Sequence, residues 1–291
     1  MATPTLTEIR SFTSSQIQAL NSTDIRGLTS AHIAALSTEQ VLGFSSLQIP
    51  FLQAPAVRGF NSAQLQAMES TPLSVFTTAQ IQQIQVNSIK GFESEDIQAL
   101  APTLVAAFNS TQVPYLTTTQ VAALTSAQVD ALTTTQVRAL TSVQLASITT
   151  ESILGLDTAQ FSQLSAAAMG GLTTAQIDVL SSSIFASISS GQIVQLKVSQ
   201  LQAVEPENFA VLNPAAVARL TVTQIAGLTT GQVDVLTTAQ VASISETVIK
   251  SLSTANLAVL DDTQIAAIGS RQIASLSTTQ IQSLVRRKPM R

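Results

Sequence analysis

Residues 116–148 read LTTTQVAALTSAQVDALTTTQVRALTSVQLASI, with the same phrase restarting at Leu116, Leu124, Leu132, Leu140 and Ile148. A period of eight constrains the fold more than any other feature of the chain. One apolar slot runs Ile9, Ile17, Ile25, Ile33, Val41 and onward to Ile281, thirty-five positions, every one Ile, Val, Leu, Phe or Met. A second slot three residues later runs Phe12, Leu20, Leu28, Leu36, Phe44 and onward to Leu284, and it holds no polar residue either. No insertion or deletion breaks this register, so internal repetition decides the architecture.

A continuous helix cannot use such a pattern. Eight residues turn it by about 800°, and the apolar stripe drifts by roughly 80° per octad. A flat strand fails as well, because slots three apart point to opposite faces. A short helix restarted at every octad fits. In Leu116-Thr117-Thr118-Thr119-Gln120-Val121, Thr117 occupies the N-cap and Gln120 the third helical position, N3, which is the capping-box pattern S/T-x-x-E/Q. Leu116 and Val121 occupy the N′ and N4 places of a hydrophobic staple. Of the 35 N-cap slots, 28 hold Ser, Thr, Asn, Asp or Gly, and 20 of the 35 N3 slots hold Gln. Pro102, Pro206 and Pro214 fall at N1, where a missing N–H costs nothing.

Charge placement agrees. Of 17 acidic residues, 14 lie between N-cap and N3, and six of 13 basic residues (Arg10, Arg26, Arg58, Lys90, Arg138 and Lys250) share one slot past N4. A helix dipole favours acids at the start and bases near the end. Helices this short are unstable alone and must stack. The expected fold is therefore all-α: a solenoid of about 35 eight-residue repeats, each a short capped helix. A β-solenoid with Thr-rich faces is the alternative, since Thr, Val and Ile also suit strands. Residues 1–284 read as one continuous octad solenoid and 285–291, VRRKPMR, as a basic C-terminal tail. The number of octads per coil stays open. Phe12, Phe44, Phe60, Phe76, Phe92 and Phe108 are separated by multiples of sixteen, which points to a two-octad unit, whereas Phe161, Phe185 and Phe209 are spaced by 24, which points to three.

LTTTQVAAL at 116–124 and LTTAQ at 172–176 and 236–240 resemble the L-[ST]-[ST]-x-Q-[VI]-x-[AG] octapeptide repeats of large bacterial surface or secreted proteins. The resemblance runs along nearly the whole chain and implies a bacterial, extracellular, structural or adhesive role. It supplies no catalytic residues, and the chain departs from it in showing no recognisable secretion, anchoring or adhesive module.

The residues point away from a reaction centre. His32, the one histidine, sits in an N3 slot as a capping substitute, and with no Cys a familiar zinc site is out of reach. Carboxylates cluster at Glu93/Glu95/Asp96, Glu205/Glu207 and Asp261/Asp262, but they fill helix-start slots that are acidic elsewhere too. No GxSxG, GxGxxG or GxxxxGK[ST] occurs. The expectation is no enzyme, no catalytic residue, no cofactor and no metal. With a net charge of −4, nucleic acid is not an expected partner. No run of eighteen apolar residues predicts a membrane span, and no classical signal peptide is visible at the start. The ends of the repeat are expected to expose apolar surface, so the chain's main expected partner is itself, stacked head to tail in an extracellular filament or stalk. The alternative is a surface or secreted binding module for a host protein or polysaccharide. Its mark would be variable slots turning aromatic or charged in one patch, with Phe51 and Tyr115 as scattered candidates, whereas the alternating Arg10, Arg26 and Arg58, which could form a basic stripe, read as solubilising charge on helix ends. The N-cap hydroxyls form a regular array, expected to be spent on capping.

Overall fold

The computed structural model describes residues 4–285. Among them every regular element is helical: thirty-one α-helices and four 3-10 turns, none longer than eight residues. No strand occurs among the described residues, which overturns the β-solenoid alternative. Thr-rich faces do not pair as strands here because the hydroxyls and the Gln side chains close each backbone turn locally. The helix Thr118–Ala122 shows the unit. Thr117, in extended conformation, accepts the Gln120 N–H on its Oγ1 at 3.2 Å and donates its own N–H to Gln120 Oε1 at 2.8 Å. Val121 is fully buried and Leu116 nearly so, the two ends of the staple. Pro102, Pro206 and Pro214 each open a helix, as the spacing predicts. Two of the 3-10 turns, Ile49–Phe51 and Val113–Tyr115, contain Pro50 and Pro114, whose missing N–H cannot serve an α-turn.

The chain divides into two compact units, residues 1–156 and 157–291. In each, the helices are stacked into an all-α solenoid, and the N3 glutamines are what join one coil to the next. In the first unit, Gln120 Nε2 donates to the carbonyls of Ile89 and Phe92 at 2.8 and 2.6 Å, and Gln136 Nε2 to those of Val105 and Phe108 at 2.9 and 2.7 Å. In the second, Gln224 Nε2 donates to Ile193 and Leu196 at 3.0 and 2.7 Å, and Gln232 to Leu201 and Val204 at 2.6 and 2.7 Å. The partners lie 31 and 28 residues back, in the N4 slot and the junction slot of an earlier octad. Each amide is thus saturated: its oxygen closes the local cap and its nitrogen bridges two carbonyls below. Shorter side chains keep one of these bonds. Ser88 Oγ reaches Phe60 O at 2.8 Å, Ser152 Oγ reaches Leu124 O at 2.6 Å, and Asn256 Nδ2 reaches Leu228 O at 3.0 Å, all 28 residues back.

This ladder answers the question of coil length. Helices in contact lie three octads apart, as Thr118–Ala122 with Ser142–Ser147 and Thr254–Ala258 with Thr278–Val285. The Gln bonds reach into the fourth octad back. Each octad therefore lies over the seam between the third and fourth before it, and a coil takes roughly 28 residues, the span of the recurring bond. The two phenylalanine spacings are reconciled. Residues sixteen apart meet across the core: Phe44 and Phe60, Phe60 and Phe76, and Phe92 and Phe108 pack edge to face with centroids 6.2–6.3 Å apart. A spacing of 24 is the offset of helices in contact, so neither number is itself the coil.

The two ends of the described repeat differ. Ile9, Ile17, Ile25 and Ile33 are fully buried, while Phe12 and Leu20 are only half-buried. In the last octads the same N4 slot opens: Ile265 and Ile273 are half-buried and Ile281 is exposed. The residues of the expected basic tail past Val285 lie outside the described residues.

Candidate functional site

Five of the six cations that share the slot past N4 belong to the first unit, and two of them, Arg26 and Arg58, meet a residue 25 positions later. The Arg26 guanidinium lies 5.0 Å from the centroid of the Phe51 ring, a cation–π contact, and Phe51 remains partly exposed. In the same register, Arg58 Nε donates to Gln83 Oε1 at 2.8 Å, and Gln85 Nε2 donates to the Arg58 carbonyl at 3.0 Å. Lys90 and Tyr115 hold the next pair of positions, both exposed, Tyr115 by half its surface. Arg58 borders two grooves. One, of about 450 Å³, is lined also by Ser30, Ala34, Asn61, Gln85 and Ser88; the other, of about 330 Å³, by Gln82, Gln83, Gln85, Asn109 and Thr111. Arg58 is the one charged residue in either lining. Grooves elsewhere combine both signs: Arg10 lines one with Glu39, and Arg271 lines another with Glu246. Of the alternating Arg10, Arg26 and Arg58, Arg26 meets Phe51 and Arg58 meets Gln83, while Arg10 lines a separate groove with Glu39. Gln83 and Gln85 carry no sequence signal of their own; the signal is their distance of 25 and 27 residues from a cation.

The other candidates serve the helices they begin. His32 Nδ1 accepts the Thr29 N–H at 3.1 Å and faces Thr29 Oγ1 at 2.8 Å, the capping role expected of it. Asp261 Oδ1 accepts from the Gln264 N–H and from Thr263 Oγ1, each at 2.7 Å, Asp262 is at N1 of its helix, and Glu205 and Glu207 flank Pro206 at the start of another. Asp96 is buried in an N3 slot, accepting from Ser70 Oγ at 2.6 Å and from the Glu93 N–H at 2.7 Å. Burial pushes its carboxyl above the ordinary range, with the nearby charges of Glu93 and Glu95 adding to the push, against those two hydrogen bonds. Glu8, exposed at the first N3 slot, is held below the ordinary range by the Thr5 N–H and hydroxyl. Among the described residues, no three His, Asp or Glu side chains gather where they could hold a metal ion. N-cap hydroxyls cap their helices at Thr125, Thr133 and Thr237, whereas those of Ser181 and Ser245 pair instead with the hydroxyls of Ser183 and Thr247. No helix among the described residues is long and apolar enough to cross a membrane.

Helical octads stacked through buried glutamines define a tandem-repeat protein of the all-α solenoid class. Within that class, residues 17–54, 89–126 and 249–278 match the family model described as the ALTTAQ repeat, which supports a repeat-protein family over those segments. No curated protein matches the chain.

Proposed function

We propose that the chain is a non-enzymatic structural repeat protein, working outside a bacterial cell as a binding module whose rigid surface recognises a polysaccharide or a host protein. One observation carries this reading: in the first unit, two neighbouring outer slots bring cations together with a ring or an amide, with Arg26 seated on Phe51 and Arg58 bonded to Gln83. Recognition through an extended outer surface is what stacked repeats do well. The ladder serves it by holding neighbouring coils in one register. Pull-down of cell-surface polymers and host proteins by the full chain tests the reading; capture that survives exchange of Phe51, Arg58 and Tyr115 to Ala together would overturn it.

Head-to-tail assembly into a filament is the second reading. It is favoured by the opening of the N4 slot at Ile265, Ile273 and Ile281. The other end presents N3 residues Glu8, Gln16, Asp24 and His32, and of these only Gln16 carries the amide that bridges carbonyls in the rest of the ladder. Asp24 Oδ1 is buried with no hydrogen-bond partner. Carboxylates set against carbonyls repel, so the ladder is not expected to continue between copies through Glu8 and Asp24, and the contact would rest on the apolar slots. Sedimentation velocity across a concentration series decides: growth with concentration supports assembly, and a monomer throughout removes it.

A further inference from the structure

We infer that the paired grooves flanking Arg58 bind a carboxylate-bearing polysaccharide, with the Arg58 guanidinium as the anchor for a uronate group. The inference rests on the binding-module reading and names its ligand class. The chemistry begins with how Arg58 is held. Its Nε is committed to Gln83 Oε1 at 2.8 Å, and its backbone carbonyl is fastened by Gln85 Nε2 at 3.0 Å from the coil above. The Nε bond restrains the guanidinium, and the carbonyl bond holds the backbone that carries it. A planar fork with two parallel donors matches a carboxylate, and pre-orientation lowers the entropy lost on binding.

The surroundings specify the rest of the ligand. Beside Arg58 the linings offer Asn61, Gln82, Gln85, Asn109, Thr111 and Ser30. Side-chain amides and hydroxyls donate and accept at once, as sugar hydroxyls do. No carboxylate lines either groove, so an acidic polymer meets no repulsion there. Flat, partly exposed rings stand in the same register at Phe51 and Tyr115, suited to the apolar faces of sugars. A nucleic acid would need several cations per turn to neutralise its phosphates. Here the register supplies only Arg26, Arg58 and Lys90, one every 32 residues, which suits recognition of single uronate groups at discrete points rather than neutralisation of a whole polyanion.

Affinity electrophoresis of the full chain through gels containing polygalacturonate, dextran sulfate or neutral dextran tests this. The expected result is retardation by polygalacturonate, weakened at least tenfold in Arg58→Ala, partly kept in Arg58→Lys, reduced in Tyr115→Ala and unchanged in Arg271→Ala, with thermal unfolding of all four variants unaltered. Equal retardation by dextran sulfate would reduce the contact to bare charge and overturn the carboxylate assignment. Retardation by dextran alone, or by polygalacturonate to the same extent in Arg58→Ala, would overturn the site while leaving a binding surface elsewhere. No retardation in any gel overturns the inference, and the binding-module reading then stands or falls on the pull-down.

Discussion

The two units are built on one octad but fill it differently. Residues 4–156 put phenylalanine in the junction slot, at Phe44, Phe60, Phe76, Phe92 and Phe108, where rings meet edge to face across the core. Residues 157–285 keep aliphatic residues in that slot and move phenylalanine to N4, at Phe161, Phe185 and Phe209, each buried to within 1%. The first unit also brings backbones together. At Gly43, Gly59, Gly91 and Gly155 an added Cβ would run into the carbonyl of the Ser at the start of a helix 29 residues earlier; at Gly227 it would meet the Val198 side chain, and at Gly191 nothing. Three of these glycines directly precede a core phenylalanine, at 43–44, 59–60 and 91–92. A bulky ring inside is matched by a missing side chain on the stacking face. The lesson is that the glutamine ladder is common to both units, whereas the volume inside the coil is negotiated locally.

Matched substitutions would break or sharpen this contrast. The largest effect is expected from the shared element. Gln120→Glu sets a carboxylate against the Ile89 and Phe92 carbonyls in a buried slot and should cost about 3–5 kcal/mol, the scale of an uncompensated buried charge. Gln232→Glu in the second unit should cost the same, read by urea unfolding with residue-resolved hydrogen exchange; a cost confined to one unit would show that the ladder is not common property. Next comes Gly91→Ala, expected to lose about 1–3 kcal/mol by overpacking against Ser62, and to loosen protection in the first unit only.

A smaller effect belongs to Asp96. Its carboxyl is raised in the folded chain, so the folded state holds that proton more tightly than the unfolded state does. The contribution is best below the unfolded value and declines as pH rises through the folded one. Asp96→Asn should therefore gain on the parent as pH climbs from 4 to 7 in parallel thermal melts, since Asn256 shows that an amide there can donate to the carbonyl 28 residues back. An advantage that stays flat with pH would assign the burial of Asp96 no energetic weight. The smallest effect is Gly191→Ala in the second unit, in open space at the second position of a helix, where a gain of about 0.4–1 kcal/mol is expected in the same melts.

Much of this was legible before any coordinates. Leu116, Thr117, Gln120 and Val121 announce helix, cap and staple by type and spacing alone. Coil closure was not legible, for a physical reason. The partner of an N3 slot is an N4 or junction slot, so like never stacks on like, and no same-slot period marks the turn. The clue lay in a preference that capping does not explain. Glu closes a capping box as well as Gln and suits a helix start, yet it occupies N3 only at the exposed Glu8. Where Gln holds N3 its Nε2 bridges carbonyls of an earlier octad, as at Gln120 and Gln232, a role that Glu cannot fill. The surface around Arg58 was half legible: Arg26, Arg58, Phe51 and Tyr115 stood out by type, but Gln83 and Gln85 look like any other polar filler until stacking sets them beside a cation.

Every rung of the ladder runs one way. The donor always belongs to the later residue and the acceptor to the earlier one, from Gln40 on Ile9 to Gln280 on Leu252. A chain leaving the ribosome presents its carbonyls before the amides that will claim them. Each new coil thus brings its amides to carbonyls already laid down, so the ladder itself can be added in the order in which the chain is made.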